Sequence, residues 1–302
     1  MRISFLFAAV VGALATLPAG AQTSGEAGMS ERDKAMAELP PDAAKRLFGQ
    51  AGRPAPLAAR SIGAFSRGCL AGAVAMPVDG PAWQVMRLSR NRNWGHPNLI
   101  AFLERFAGAG RKVGWPGLLV GDLSQPRGGP MITGHASHQI GLDADIWFEP
   151  MPGRTLSGEE RETISAVSMV NMTTRELDRS KWTETRAKLV REAARDSQVA
   201  RIFVNPPIKK ALCDWAGSDR AWLAKVRPWY GHNYHFHVRL TCPAGMADCH
   251  DQDKVPEGDG CGADLAWWLG PEPWKPSPPT PPKPPLTLQD LPAACSEVLV
   301  AK

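Results

Sequence analysis

Five of the seven histidines in this 302-residue chain fall in two short clusters. The first, GHASHQIGLDAD from Gly134 to Asp145, carries His135, His138, Asp143 and Asp145. The second, GHNYHFHV from Gly231 to Val238, carries His232, His235 and His237. Imidazole nitrogens and carboxylate oxygens are donors that zinc takes at about 2 Å. His235 and His237 stand two apart in a strand-like run, so both point to one face. Phe236 and Val238 then point to the other face, into apolar packing. Asp143, Asp145 and Trp147 alternate in the same way. Two histidines and one carboxylate leave a fourth position for water, whose pKa zinc lowers toward 7 while it polarises a carbonyl. That is the chemistry of amide hydrolysis. A further histidine nearby is a candidate to accept the water proton or steady an oxyanion. Asp143 shares a face with Asp145 and competes with it as a ligand.

Such a cluster needs strands and helices to hold it. Gly117–Val120 (GLLV), ending at Gly121-Asp122, reads as a strand, as do Ala144–Phe148, Ala200–Val204 and Tyr234–Leu240. Asn98–Phe106 (NLIAFLERF) carries apolar residues at helical spacing after Pro97. Lys181–Asp196 reads as a helix with Trp182, Leu189, Val190, Ala193 and Ala194 inside. Glu31–Gln50 has room for another. The strands and helices mix without regular βαβ alternation, which predicts an α+β fold. The expected architecture is a small antiparallel sheet carrying the zinc site, flanked by helices and long disulfide-stapled loops.

The rest of the chain sets the compartment. Met1-Arg2, an apolar stretch from Ile3 to Leu17 and the small residues Ala19 and Ala21 read as a signal peptide over 1–21. That stretch is shorter than the roughly 20 residues of a membrane span, and no later segment is long and apolar enough for one. Residues 22–60 read as a peripheral segment, 61–270 as the catalytic domain, and 271–302 as a proline-rich tail whose stretch Pro271–Pro285 is extended like polyproline. Six cysteines, an even number in an exported chain, favour disulfides over thiolate zinc ligands, because no C-x2-C pair occurs. They allow 15 pairings. Hydrophobic residues at 43% and charged residues at 22% suit a folded soluble domain. The net charge of +5 favours an anionic partner such as an acidic wall polymer. No nucleic-acid-binding motif accompanies that charge, so a nucleic-acid partner is not expected.

The spacing H-x6-D from His138 to Asp145, followed by H-x-H from His235 to His237, resembles the lysostaphin/D-Ala-D-Ala-peptidase/hedgehog-type metallopeptidases. The resemblance implies that His138, Asp145 and His237 hold Zn2+ and that His235 assists the reaction. Longer stretches narrow it. GDLSQPRGGP (121–130), GHASHQIGLDADIWF (134–148), RIFVNPPIKKALC (201–213), KVRPWYGHNYHFHVRLTCP (225–243) and GDGCGADLAWW (258–268) are similar to the penicillin-insensitive murein endopeptidase family. What this implies is a zinc endopeptidase of the Gram-negative periplasm that cuts D-alanyl–meso-diaminopimelate cross-links in peptidoglycan. It also implies the disulfides Cys69–Cys295, Cys213–Cys261 and Cys242–Cys249, the first pinning the tail. Family descriptions that include a second metal use an Asp and a His between the two clusters. The stretch Met169–Thr174 offers neither, so one zinc per chain is expected and His135 is read as a neighbour or additional ligand.

Several residues carry weaker expectations. His232 is a candidate partner of His235 in catalysis. Arg127 is a candidate fork for a substrate carboxylate. His96 reads as a cap or packing residue, and His250 as part of a solvated loop. The tryptophans read as core and rim, one or two of them lining a glycan or peptide cleft. Two other functions share these residues: a non-catalytic, zinc-stabilised peptidoglycan-binding module, and a D,D-carboxypeptidase.

Overall fold

The computed structural model describes residues 31–276, 279, 281 and 283–302. The signal segment 1–21 and the first residues after it lie outside the described residues. Helices α1 (Glu31–Ala37) and α2 (Ala44–Gly49) come first, separated at Pro40-Pro41. An antiparallel pair, β1 (Arg60–Ala64) and β2 (Arg67–Ala71), follows. The short strands β3 (Val74–Ala75), β4 (Asp79–Gly80), β5 (Trp83–Val85) and β6 (Trp94–Gly95) lead into α3 (Pro97–Lys112). Then come β7 (Leu118–Val120), β8 (Asp143–Pro150), α4 (Gly158–Thr163) and the β9 (Val170–Asn171)–β10 (Glu176–Leu177) hairpin. The last part contains α5 (Glu184–Arg195), β11 (Val199–Val204), α6 (Pro206–Trp215), β12 (Val226–Pro228), β13 (His235–Leu240), β14 (Cys249–His250), α7 (Ala263–Leu269) and α8 (Ala294–Val300).

The fold is α+β. Its main sheet has seven strands in the order β12-β11-β13-β8-β7-β5-β4. The centre is antiparallel, as the alternation of its strands predicts; parallel pairs β11–β12 and β5–β7 extend it on both sides. One face is fully apolar. Ala144, Ile146 and Phe148 of β8 and Phe236 and Val238 of β13 are completely buried there. Helix α3 supplies Leu99, Phe102, Leu103 and Phe106 to the same core, and α5 supplies Ala187, Leu189 and Val190. The Phe236 ring meets Phe106 edge-on at 6.2 Å and Phe148 at 5.4 Å. Burying one such ring contributes about 2–3 kcal/mol. The opposite face therefore remains for polar chemistry.

A second, smaller core joins the two ends of the chain. Ala44 and Phe48 of α2 pack with Ile62, Cys69 and Ala71 of the first strand pair and with Cys295 and Val298 of α8. Cys69–Cys295 fastens it. Cys213–Cys261 and Cys242–Cys249 complete the three bridges, so all six cysteines pair as the resemblance implies.

Candidate metal centre

Strand register assembles the cluster. In the antiparallel β8–β13 pair, His237 lies opposite Asp145 and His235 opposite Trp147. All four point away from the core built on Phe236 and Ile146. His138 arrives from the loop before β8, in a left-handed backbone conformation (φ 69°). Its N–H donates to Asp143 Oδ2 at 3.0 Å, and its carbonyl accepts from Ser124 Oγ at 2.6 Å. Gly141 (φ 70°) turns that loop into β8. A Cβ there would come within 2.4 Å of Leu70, so only glycine fits.

The four side chains converge on one carboxylate. Asp145 Oδ1 lies 3.2 Å from His237 Nδ1, 3.5 Å from His138 Nε2 and 3.6 Å from His235 Nε2. Asp145 Oδ2 lies 3.4 Å from His135 Nε2. Ligand atoms of His135, His138 and Asp145 all fall within 4.8 Å of one another. Both nitrogens of His138, Asp145 Oδ1 and His235 Nδ1 are buried and make no hydrogen bond. Such orphaned groups cost about 1–3 kcal/mol each. A bound cation would satisfy His138 Nε2 and Asp145 Oδ1 together, and a nitrogen–carboxylate set suits a divalent transition metal. The residues present fit a metal ion.

Asp143 has a different task from Asp145. Its Oδ1 accepts from His237 Nε2 at 2.8 Å and from Arg239 Nε at 2.7 Å, while Oδ2 holds the His138 backbone. It is fully buried, and both its oxygens are engaged. The bond fixes the His237 proton on Nε2 and leaves Nδ1 open toward Asp145. Burial opposes ionisation of Asp143, but Arg239 and His237 outweigh it and hold its carboxyl well below the usual range. Burial likewise opposes ionisation of Asp145. His235, His135 and His138 overcome it, so Asp145 is a carboxylate.

Two histidines stay neutral. Burial pushes His235 down to about 4 and, with His235 and His237 beside it, pushes His232 down to about 3. His232 Nδ1 lies 2.7 Å from the Tyr230 carbonyl, which can only accept. The proton therefore sits on Nδ1, and Nε2 carries a lone pair. The His232 and His235 rings are 5.0 Å apart. In the other direction the site opens into a cleft of about 200 Å³ lined by Arg87, Arg90, Asp122, His135, Trp147 and Tyr234, among others.

Sequence reasoning missed Asp122, Arg90 and Arg92. Asp122 Oδ2 accepts from Arg92 at 2.9 Å and Arg90 at 3.0 Å, and lies 3.0 Å from His135 Nε2. It thus anchors His135 at the cleft. Its only signal was its place at the end of the GLLV strand, inside GDLSQPRGGP. Arg127 of that same motif does not join the cluster. Its guanidinium donates to the carbonyls of Arg53, Val298, Leu299 and Ala301. The end of α8 leaves carbonyls without helical partners, and Arg127 satisfies them instead of a substrate carboxylate. His96 caps α3, its Nδ1 accepting from the Asn98 N–H at 3.1 Å. His250 is exposed on β14, away from the cluster.

A buried His/Asp cluster on the polar face of an α+β sheet, with neutral histidines beside it, defines the class of metallopeptidases. Within that class, a family model described as penicillin-insensitive murein endopeptidase matches residues 61–300. The chain belongs to this family. It is 45% identical over 244 residues to a penicillin-insensitive murein endopeptidase of Haemophilus influenzae, covering 80% of this chain and 82% of that one. It is 44% identical over 241 residues to one of Klebsiella pneumoniae (80% and 86%), and 45% identical over 246 residues to one of Salmonella typhi (82% and 88%).

Proposed function

We propose that this murein endopeptidase works in the Gram-negative periplasm with one Zn2+, hydrolysing D-alanyl–meso-diaminopimelate cross-links. The observation that carries the metal reading is the set of orphaned atoms on His138 and Asp145, with His237 Nδ1 only 3.2 Å from Asp145 Oδ1. His138, Asp145 and His237 would hold the ion, and His135, tied to Asp122, stands beside them as orienting neighbour or additional ligand. Bound zinc would supply Lewis acidity, polarising the D-alanyl carbonyl and acidifying a water.

This chain's own residues move the proton. Neutral His232 presents Nε2 as an acceptor, and neutral His235 lies next to it; together they accept the water proton and return it to the departing amine. Protonated, either ring steadies the oxyanion. Asp143 keeps His237 in one tautomer throughout. Trp147 and the half-exposed Tyr234 wall the cleft, and Arg90, beside Asp122, gives its rim a positive charge. No serine nucleophile is needed, so β-lactams, which acylate serine, should leave the activity intact.

The test is digestion of purified cross-linked murein with and without a chelator, with products separated by mass. Cross-linked dimers should become monomers, and chelation should stop this. Trimming of terminal D-alanine alone would make the protein a D,D-carboxypeptidase. Binding without any cleavage would make it a peptidoglycan-binding module.

The chain organisation supports the location. Residues 1–21 would be removed on export, leaving 22–60 and 271–302 around the catalytic domain. Among the described residues no helix is long and apolar enough to cross a membrane. Three disulfides suit an oxidising compartment.

A further inference from the structure

A surface of aromatic rings runs outward from the metal centre. Phe203 of β11 pairs in register with His237 of β13. Its ring lies 5.4 Å from His237, 6.1 Å from His232 and 6.3 Å from Trp229. Trp229 meets Trp268 at 5.6 Å, and Tyr230 meets Trp268 at 5.0 Å and Trp274 at 5.3 Å. Trp268 in turn meets Trp267 at 5.2 Å. These rings are not core: Trp229 is 50% exposed, Tyr230 40% and Trp267 51%. Single exposed apolar residues are ordinary, whereas a contiguous exposed patch marks a binding surface.

The patch is built rather than loose. The Tyr230 hydroxyl donates to the Pro273 carbonyl, and Trp274 Nε1 donates to the Trp268 carbonyl at 3.1 Å. On its far side the Arg175 guanidinium lies over the Trp274 ring at 4.8 Å. Arg175 and Leu269 also line an open trough of about 1110 Å³ between the β9–β10 hairpin, α5 and α6. The aromatic platform therefore joins the metal centre to this trough.

We infer that the platform and trough bind the glycan strand of murein, a chain of N-acetylated amino sugars, while the cross-link attached to that strand reaches the metal centre. The inference rests on the murein endopeptidase reading and adds a subsite to it. Three observations choose the glycan over the stem peptide. Pyranose rings present C–H faces of slight positive charge, which complement the negative faces of indole rings; peptide carboxylates do not. Among the described residues, none accepts a hydrogen bond from the indole N–H of Trp229, Trp267 or Trp268, so three donors remain for sugar hydroxyls and acetyl carbonyls. The trough carries both charge signs, with Lys210 and Asp214 paired at 2.6 Å, which suits a polar polymer of low charge. Aromatic walls with a few placed polar groups are the usual make-up of such sites.

The test uses the exported chain without metal and peptide-free glycan strands as the probe, followed by tryptophan fluorescence. Saturable binding is expected, weakened about tenfold or more in Trp267→Ala, as truncation of one anchoring aromatic commonly does. Trp267→Phe should keep most of the affinity. With metal restored, Trp267→Ala should lower kcat/KM for glycan-linked dimers relative to sugar-free cross-linked peptides by a similar factor. Absence of strand binding by the unaltered protein would overturn the inference, as would equal binding by Trp267→Ala. So would displacement of the strands by sugar-free peptides, or a dimer in sedimentation that Trp267→Ala dissolves. Strand binding needs no hydrolysis. A chain that binds strands yet leaves cross-links intact would support the platform while removing the endopeptidase reading.

Discussion

Asp143 governs the candidate centre from beneath, through one oxygen shared by His237 and Arg239 and another held on the His138 backbone. Asp143→Asn places an amide where two donors now converge. Metal affinity should fall about 10–100-fold, as loss of a partner behind a ligating histidine commonly causes. Competition against a chromophoric chelator measures this, and an unchanged affinity would show that Asp143 does not orient His237. Strand alternation left Asp143 and Asp145 both as candidates, because both lie on one strand face, and only the spacing of the resembling family selected Asp145. What separates them is the partners beneath Asp143, and Arg239 is 96 residues away from it. Arg127 shows the same limit. Its motif was visible, but three of the four carbonyls it satisfies lie more than 170 residues further on.

At the scale of elements, β8 gives one face to the site: Asp143, Asp145, Trp147 and then Glu149. Glu149 Oε1 accepts from the Val167 N–H, while Oε2 is buried without a partner. Burial raises the Glu149 pKa to about 7, against the opposing Val167 hydrogen bond and Arg186. The folded state thus keeps a proton that the unfolded state releases above about 4.5. Stability should therefore fall as pH rises from about 4.5 to about 7 and stay lower above that. Glu149→Gln keeps the acceptor for Val167 and cannot ionise. Its melting temperature relative to the parent should rise by about 2 °C between pH 5 and pH 8, after allowance for the solvent that reaches this half-buried group. A constant difference across that range would contradict the assignment. The central strands and the two helices packed on them were legible in the sequence; the short peripheral elements were not. Alternation revealed β8, β11 and β13, and helical spacing revealed α3 and α5. The stretch 31–50 yields two short helices because Pro40-Pro41 interrupts it. The Asp122–Arg90–Arg92 group stayed hidden, because it forms only when β7 is laid beside β8 and the segment before α3 folds over both.

Over the whole molecule, the two chain ends depend on each other. Cys69–Cys295 spans 226 residues and lies inside the smaller core with Phe48 and Val298. Replacing both cysteines by alanine should destabilise the protein by about 3–5 kcal/mol, from the freedom regained by so long a loop in the unfolded chain. Limited proteolysis should then cut first near residues 40–60 and 286–300. Cleavage spread evenly along the chain would show that the small core does not melt as a unit. Beyond room for a helix in 31–50, this second core could not be read from local pattern, since each piece is too short to show a period and its partner sits at the other end of the chain.

The central claim is that this family member cleaves murein cross-links through a metal held by His138, Asp145 and His237. The most direct measurement pairs elemental analysis with murein digestion for the parent and for His138→Ala. The account predicts about one zinc per chain and conversion of cross-linked dimers to monomers for the parent. For His138→Ala it predicts no retained zinc and a rate at least about a thousandfold lower, about 4 kcal/mol of lost transition-state stabilisation. Full cross-link cleavage by a His138→Ala protein shown to be metal-free would contradict it.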